Sequence, residues 1–397
     1  MSRNGEVVIA GACRTPIGKF LGGLASFKAP ALGALAIREA LTRARVAPDQ
    51  VDEVIMGQVV QAGSGQAPAR QAAIHGGIPV TVGAMTVNKV CGSGLKAVML
   101  AAQAIKAGDA QVVVAGGMES MSQAPFLLAA EARGGIRLGG TQLADSVVKD
   151  GLWDSFNDFH MGSAAELIAR KFQVSRADQD RYAFESHQKA LAAQDSCRFS
   201  KEIFPVEIPQ KKGDPVKITA DESPRRDTSL EALAKLKPAF EASGSVTAGN
   251  APGLNDGASA MLVLSAARAK ELGVTPEARI VDYATGGAEP EMVFYAPVVA
   301  VEKLMAKMGV KIGHWDLIEA NEAFAAQALV DGRELDWDWS RVNVNGGAIA
   351  LGHPIGASGA RILATLIQAL KHQGKSKGLA TLCLGGGNAV AMAIELV

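Results

Sequence analysis

Two stretches of this chain recur at nearly one spacing, and that repetition limits the fold more than any single motif. The helical run Ala36–Arg45, followed by Val46 and Asp52-Glu53-Val54, returns as Ala300–Gly309, Val310 and Asp316-Leu317-Ile318, a shift of 264 positions (36 to 300). Ser93-Gly94-x-Lys96 and Gln103-Ala104-Ile105-Lys106 return as Ser358-Gly359-x-Arg361 and Gln368-Ala369-Leu370-Lys371, a shift of 265 (93 to 358). Each of these last helices leads into an apolar strand that ends in glycines, Gly116-Gly117 in one case and Gly385-Gly386-Gly387 in the other. Two segments holding nearly one shift suggest a duplicated unit whose copies pack on each other. The competing reading is chance likeness among Ala-rich helices.

The unit alternates strand and helix. Glu6–Ala10, Val51–Val60, Ala84–Val90 and Gln111–Ala115 read as strands; Ala31–Ala44, Pro68–His75 and Ser93–Ala107 read as helices. This alternation predicts an α/β fold with a mostly parallel sheet covered by helices on its faces. Residues from Glu119 to about Val246 fit neither copy and are richer in Gly, Ser and charge. They contain Ser163-x-x-Glu166, spelled like a capping box, and an amphipathic run Arg176–Gln194. They read as an excursion from the first copy, of the kind that walls a ligand site. The expected divisions are 1–118 with 247–272 for the first half, 119–246 for an inserted loop domain, and 273–397 for the second half.

Forty basic residues balance forty acidic ones. Zero net charge argues against nucleic acid or an anionic membrane as the main partner, leaving room only for a local basic patch toward a phosphate-bearing small molecule. No apolar run reaches the ~18 residues of a membrane span, and Met1–Glu6 lacks the order of a signal peptide. Cys13, Cys91, Cys197 and Cys383 form no CxxC and no Cys/His metal spacing. The expectation is a soluble cytoplasmic protein with free thiols and no metal site.

Cys91 lies in Asn88-Lys89-Val90-Cys91-Gly92-Ser93-Gly94-Leu95, between a strand and a helix. A helix start aims free N–H groups and its positive dipole end back at the turn, which favours a nucleophilic thiolate and offers donors to an oxyanion. A lowered thiol pKa is therefore expected; the alternative is a small buried cysteine in a tight turn. Gly92-x-Gly94-x-x-Ala97 also fits the dinucleotide-binding spelling, but no clear acidic strand end follows about 20 residues on. His353 sits in a loop with five glycines among residues 345–359, and the repeat places it level with Asn88, three residues before Cys91. If the halves pack about a pseudo-twofold, His353 and Cys91 face one cleft; otherwise His353 is polar surface. Cys383 ends the apolar run Gly378–Leu384, with the following glycines baring N–H groups beside it; alone, it reads as core. Asn321 follows Asp316–Ala320 and precedes the helical run Glu322–Val330, as a helix N-cap or as an amide that holds a water.

Together these segments resemble the thiolase family over nearly the whole chain. Asn88–Leu95 resembles its nucleophilic-cysteine motif, Ile318–Phe324 its Asn-Glu-Ala-Phe motif, Asn345–Arg361 its Gly-His-Pro block and Leu382–Gly387 its second-cysteine block, in the family's order. His160-Met161-Gly162 resembles the biosynthetic, acetoacetyl-CoA-forming branch. The resemblance implies a five-layered αβαβα fold of two like halves plus a loop domain. It implies a ping-pong Claisen condensation of two acetyl-CoA to acetoacetyl-CoA and CoA, reversible as thiolysis. Cys91, activated by His353, would become acetylated, and Cys383 would remove the α-proton of the second acetyl-CoA. His353 and a water on Asn321 would stabilise the enolate, while the N–H groups of Cys91 and Gly385 would hold the tetrahedral oxyanion. Implied CoA contacts are Leu152, His160, Met161, Arg225, Phe240, Ala248, Leu254, Ala323 and Phe324, with Arg225-Arg226 as a basic pair for the phosphates. No cofactor beyond substrate CoA is implied, and a homotetramer formed through Gln123–Thr141 is. Three departures from the family pattern stand out. Pro252 and Ala232 replace frequent serines, the first removing a hydrogen bond to pantetheine, and Val293-Phe294-Tyr295 replaces Met followed by small residues, which reshapes the acyl pocket. The alternatives are a thiolase for longer 3-ketoacyl-CoA, against which His160-Met161 argues, and a non-catalytic acyl-CoA- or lipid-binding protein on the same fold.

Overall fold

The computed structural model describes residues 5–136, 138 and 140–397; Met1–Asn4 of the leader reading, and residues 137 and 139 of the Gln123–Thr141 segment, lie outside the described residues. The first half builds β1 (Val7–Arg14), α1 (Ala29–Ala44), β2 (Glu53–Gly57), β3 (Gly83–Val87), α2 (Ser93–Ala107), β4 (Val112–Ser120) and, after the excursion, β5 (Asn255–Ser265). The excursion holds α3 (Met161–Lys171) and α4 (Arg176–Asp195). The second half builds β6 (Ala278–Gly287), α5 (Ala296–Met308), β7 (Leu317–Ala320), α6 (Ala325–Glu334), α7 (Ile355–Gln373), β8 (Lys377–Leu384) and β9 (Asn388–Leu396).

Strand order in the first half is β3-β2-β4-β5-β1; in the second it is β7-β8-β9-β6, with a parallel bridge from Ile318 of β7 to Val342 in the place of β3. Polarity repeats as well. β3, β2 and β4 are parallel, as are Val342, β7 and β8, and the remaining pairings are antiparallel in both halves. The same order and polarity twice is the duplication read in the sequence. β1 and β6 pair through Val8–Arg279 and Ile9–Ala278, joining the halves.

The sheet is mixed rather than mostly parallel. Gly386 and Gly387 turn at φ +77° and +78°, where side chains are rarely tolerated, so the chain leaving β8 doubles back at once as β9. A connection that short can join only antiparallel strands. In the first half the excursion takes the place of this turn and β5 returns with the same polarity.

Helices complete five layers. α1 packs Leu32, Ile37 and Leu41 on the outer face of the first half's strands. α5 places Val298, Val301 and Leu304 on the second half's strands, and between the halves lie Leu95, Val98 and Met99 of α2 against Ile362, Leu363 and Leu366 of α7. The repeated Ser-Gly pair now has a cause. A Cβ on Gly94 would lie 2.8 Å from the Ala360 backbone nitrogen, and one on Gly359 would lie 2.4 Å from that of Leu95. The two central helices cross at their first turns, backbone against backbone, and the loops ahead of them meet.

Two local readings change. Ser163 lies inside α3, whose N-cap is His160; the His160 Nδ1 accepts the Gly162 N–H at 3.0 Å. Glu166 instead accepts N–H bonds from Ser245 (2.8 Å) and Val246 (2.7 Å), clasping the far end of the excursion to its start. The helix expected from Glu322 begins at Ala325, so Asn321 is not its N-cap. Among the described residues no helix is long and apolar enough to cross a membrane.

Candidate active site

A cavity of about 370 Å³ opens where the two central helices begin. Cys91, His353, Cys383 and Gly385 reach it from the two halves; Leu152, His160, Met161 and Phe240 reach it from the excursion, Ala248 and Leu254 from the segment that returns to β5, and Ala323 and Phe324 from the loop before α6. Most of the remaining wall is apolar, including Val90, Met121, Val293, Phe294 and Ile355.

Cys91 stands two residues ahead of α2 on a strained elbow. Val90 is held at φ +46°, a conformation that a β-branched side chain avoids. The restraint is local: the Ser93 hydroxyl donates to the Val90 carbonyl at 2.6 Å and accepts the Lys89 N–H at 2.8 Å, while Val90 N–H donates to Asn88 Oδ1 at 3.0 Å. Burial pushes the Cys91 thiol up to about 12, opposed by hydrogen bonds from its own N–H and from that of Gly385. The expected lowering does not occur, because desolvation outweighs the helix start and both donors. Those same N–H groups lie beside the sulfur, on the side where the carbonyl oxygen of a thioester attached to it would gather negative charge during acyl transfer.

His353 is shifted oppositely. Burial, and then the Arg361 guanidinium, push it down to about 3. Thiol and imidazole are both neutral near pH 7. The ring is held at both nitrogens, with Nδ1 2.5 Å from Ser358 Oγ and Nε2 3.4 Å from Asn321 Nδ2, and its backbone N–H donates to Asn255 Oδ1 at 2.8 Å. Ser93 and Ser358, equivalent in the repeat, do the same work twice. Each holds the loop ahead of its helix, one bearing the thiol and the other the imidazole. Cys383 is buried at the end of β8, and burial, followed by the neighbouring Cys91 sulfur, pushes its thiol well above the ordinary range.

The matches to known sequences follow this geometry. Residues 7–267 match the model of the thiolase N-terminal domain, and residues 274–396 match that of the thiolase C-terminal domain. The chain belongs to the thiolase family. It is 57% identical to the acetyl-CoA acetyltransferase of Pseudomonas aeruginosa over 98% of this chain and 99% of that one. It is 56% identical to the Cupriavidus necator acetyl-CoA acetyltransferase over the same shares. The crystal structure of the Bacillus anthracis acetyl-CoA acetyltransferase superposes with a TM-score of 0.97 at 43% identity, covering 100% of both chains.

In this thiolase two of the expected site residues stand off the cavity surface. Asn321 is buried behind it, with Oδ1 3.4 Å from Arg361 Nη2. Arg225 is exposed, paired with Asp227 at 3.3 Å, and Arg226 pairs with Asp195 at 2.5 Å. Of the departures, Pro252, Val293 and Phe294 line the cavity, whereas Ala232 does not and Tyr295 stacks on Phe172 at 5.6 Å. Among the described residues no group of three or more His, Cys, Asp or Glu is placed to hold a metal. Sequence reasoning missed Ser358 and Arg361. Both were visible as repeated positions, but a repeat does not say which neighbour a side chain will meet.

Proposed function

We propose that this thiolase is an acetyl-CoA C-acetyltransferase, joining two acetyl-CoA into acetoacetyl-CoA and CoA and running in reverse as thiolysis. The observation that carries this reading is the meeting of Cys91, Cys383, His353 and the Gly385 N–H in one apolar cavity. The names of the relatives agree with it.

Cys91 attacks the first thioester while neutral His353 takes its proton and returns it to the departing CoA sulfur. This leaves acetyl-Cys91. The Cys383 thiol, held protonated by burial, passes its proton to His353, and the resulting strongly basic thiolate removes the α-proton of the second acetyl-CoA. His353, now carrying that proton on Nε2, and a water held by Asn321 stabilise the enolate oxygen. The enolate carbon attacks acetyl-Cys91, the N–H groups of Cys91 and Gly385 hold the tetrahedral oxyanion, and collapse expels the Cys91 sulfur, which regains a proton from His353 and leaves Cys383 as the thiol. Leu152, His160, Met161, Phe240, Ala248, Leu254, Ala323 and Phe324 would contact the CoA thioester, with Arg225 outside the cavity near the phosphates.

A two-carbon acyl group is favoured because Met161, Val293, Phe294, Ala323 and Phe324 belong to the same apolar cluster as Cys383, bulk that would crowd a longer acyl chain. No cofactor enters other than substrate CoA. We read 1–118 with 247–272, 119–246 and 273–397 as the three domains, and Gln123–Thr141 as the contact that builds a homotetramer; exposed Phe126 and Leu128 beside Leu143 support the latter. Four unpaired cysteines suit the cytoplasm.

The test is thiolysis of a 3-ketoacyl-CoA ladder with and without free CoA. Acetoacetyl-CoA should be consumed only with CoA, with kcat/KM falling as the chain lengthens. No thiolysis, or faster turnover of longer chains, would overturn the reading.

A further inference from the structure

We infer that Arg361 is a positioning residue: acting through Asn321, it fixes the tautomer in which His353 can accept a proton. The inference deepens the reading of His353 as the base for Cys91 and rests on it.

A guanidinium carries donors only. Arg361 Nη2 lies 3.4 Å from Asn321 Oδ1, so the amide oxygen is committed to the arginine and the amide nitrogen faces His353 Nε2 at 3.4 Å. An amide nitrogen donates and does not accept, so Nε2 presents its lone pair and the ring proton sits on Nδ1. Nδ1–H meets Ser358 Oγ at 2.5 Å, and the Ser358 hydroxyl gives its own proton to the Pro354 carbonyl at 2.9 Å. Direction is forced from one end of this chain to the other. With the amide reversed, Oδ1 would face Nε2, the ring proton would move there, and His353 could take nothing from Cys91.

The surroundings of Arg361 support a placement made for Asn321. The side chain is 2% exposed. Its Nε and Nη1 find no protein acceptor among the described residues. Its counter-charge, Glu319, stands 3.9 Å from Nη1, an ion pair beyond hydrogen-bond range. Nη2 to Asn321 is therefore the one protein hydrogen bond of a buried cation, whose burial is costly. The equivalent Lys96 in α2 is only partly buried. Both copies carry the cation, and only the copy beside the histidine buries it.

The tautomer is read directly from the imidazole nitrogens of 15N-histidine-labelled full-length protein near pH 7.5, with the His353 signals assigned by their loss in His353→Gln. Wild type should show Nδ1–H. Arg361→Met combined with Glu319→Gln, the second change sparing an unpaired carboxylate, should move the proton to Nε2 or to a mixture. It should also lower kcat for acetoacetyl-CoA thiolysis roughly 10- to 100-fold, with KM changed less than about twofold. Arg361→Lys, again a donor only, should keep Nδ1–H. Where the Met/Gln pair does not fold, Arg361→Gln, which offers both a donor and an acceptor, carries the same expectation of a mixed tautomer. A folded Arg361→Met/Glu319→Gln or Arg361→Gln variant that keeps Nδ1–H alone, or that loses it with kcat unchanged, overturns the proposal, as does an Arg361→Lys variant that loses it. A wild type that shows Nδ1–H without thiolysis would remove the catalytic reading and leave the fixing of the ring standing.

Discussion

Cys91 and His353 are shifted apart in the direction that keeps both neutral, the thiol up to about 12 and the imidazole down to about 3. A thiolate at Cys91 then forms only as its proton moves. Alkylation of Cys91 by iodoacetamide, followed peptide by peptide, should rise about tenfold per pH unit from pH 7 to 10, and acetyl-CoA should protect the thiol. A plateau below pH 8 would contradict the neutral pair. The histidine also marks stability. Its folded pKa lies below the unfolded value, so between about pH 6.5 and 3 the unfolded chain binds the extra proton, and stability is present above that window and lost as pH falls through it. His353→Gln should flatten the acid limb of a urea-midpoint-against-pH curve. At this scale Cys91 and His353 were legible, because each sits in a loop ahead of a helix and the repeat set His353 level with Asn88, three residues before Cys91; Cys383, at a strand–strand turn, and Asn321 stood out through the family resemblance. The sign of the Cys91 shift was not legible. It depends on desolvation by side chains such as Met121 and Leu254, which reach the cavity from elsewhere in the chain.

Among the elements, the crossing of α2 and α7 sets where the thiol and the imidazole meet, and it tolerates no side chain. Gly94→Ala and Gly359→Ala each press a methyl group on backbone rather than on a movable side chain. Each should cost about 1–3 kcal/mol, seen as a lower urea midpoint, whereas Gly313→Ala, where nothing lies within 4 Å, should stay within about 0.5 kcal/mol. Equal midpoints for all three would undo the close-crossing account. The segment before α5 lines the cavity with Val293 and Phe294. Phe294 meets Phe324 edge-on at 5.2 Å, and Phe294→Leu should raise the ratio of kcat/KM for a six-carbon over a four-carbon 3-ketoacyl-CoA by about tenfold. A ratio unchanged in the folded variant would show that the pocket ends elsewhere. The bounds of Ser93–Ala107 could be read from apolar period and flanking glycines. Strand polarity could not, because it follows from connection length, and the Gly385–Gly387 turn was read only as a source of free N–H groups.

In the whole molecule, the excursion walls the cavity while its ends are spliced into the first half, so something must hold it down. Arg14 in β1 does so from inside. Its Nε lies 2.6 Å from Glu202, its Nη1 and Nη2 lie 2.6 and 3.0 Å from the two Asp221 oxygens, and Glu202 also accepts the Thr365 hydroxyl of α7 at 3.0 Å. One buried cation ties β1, two points of the excursion and the central helix. These partners lie 188 and 207 residues from Arg14, a pairing that no local pattern announces. Arg14→Met leaves two buried carboxyls without their cation, so it should cost about 3–5 kcal/mol near pH 7.5. Burial already pushes the Glu202 carboxyl upward, and without the guanidinium Glu202 would take up a proton more readily, so the loss should shrink as pH falls toward 5.5. Because the excursion carries His160, Met161 and Phe240, the folded fraction of Arg14→Met should also show a raised KM for acetoacetyl-CoA. Adding Glu202→Gln and Asp221→Asn should recover part of the stability at pH 7.5 and remove its dependence on pH. A single Arg14→Met variant with the wild-type urea midpoint at both pH values would mean that the excursion is held by its apolar contacts alone.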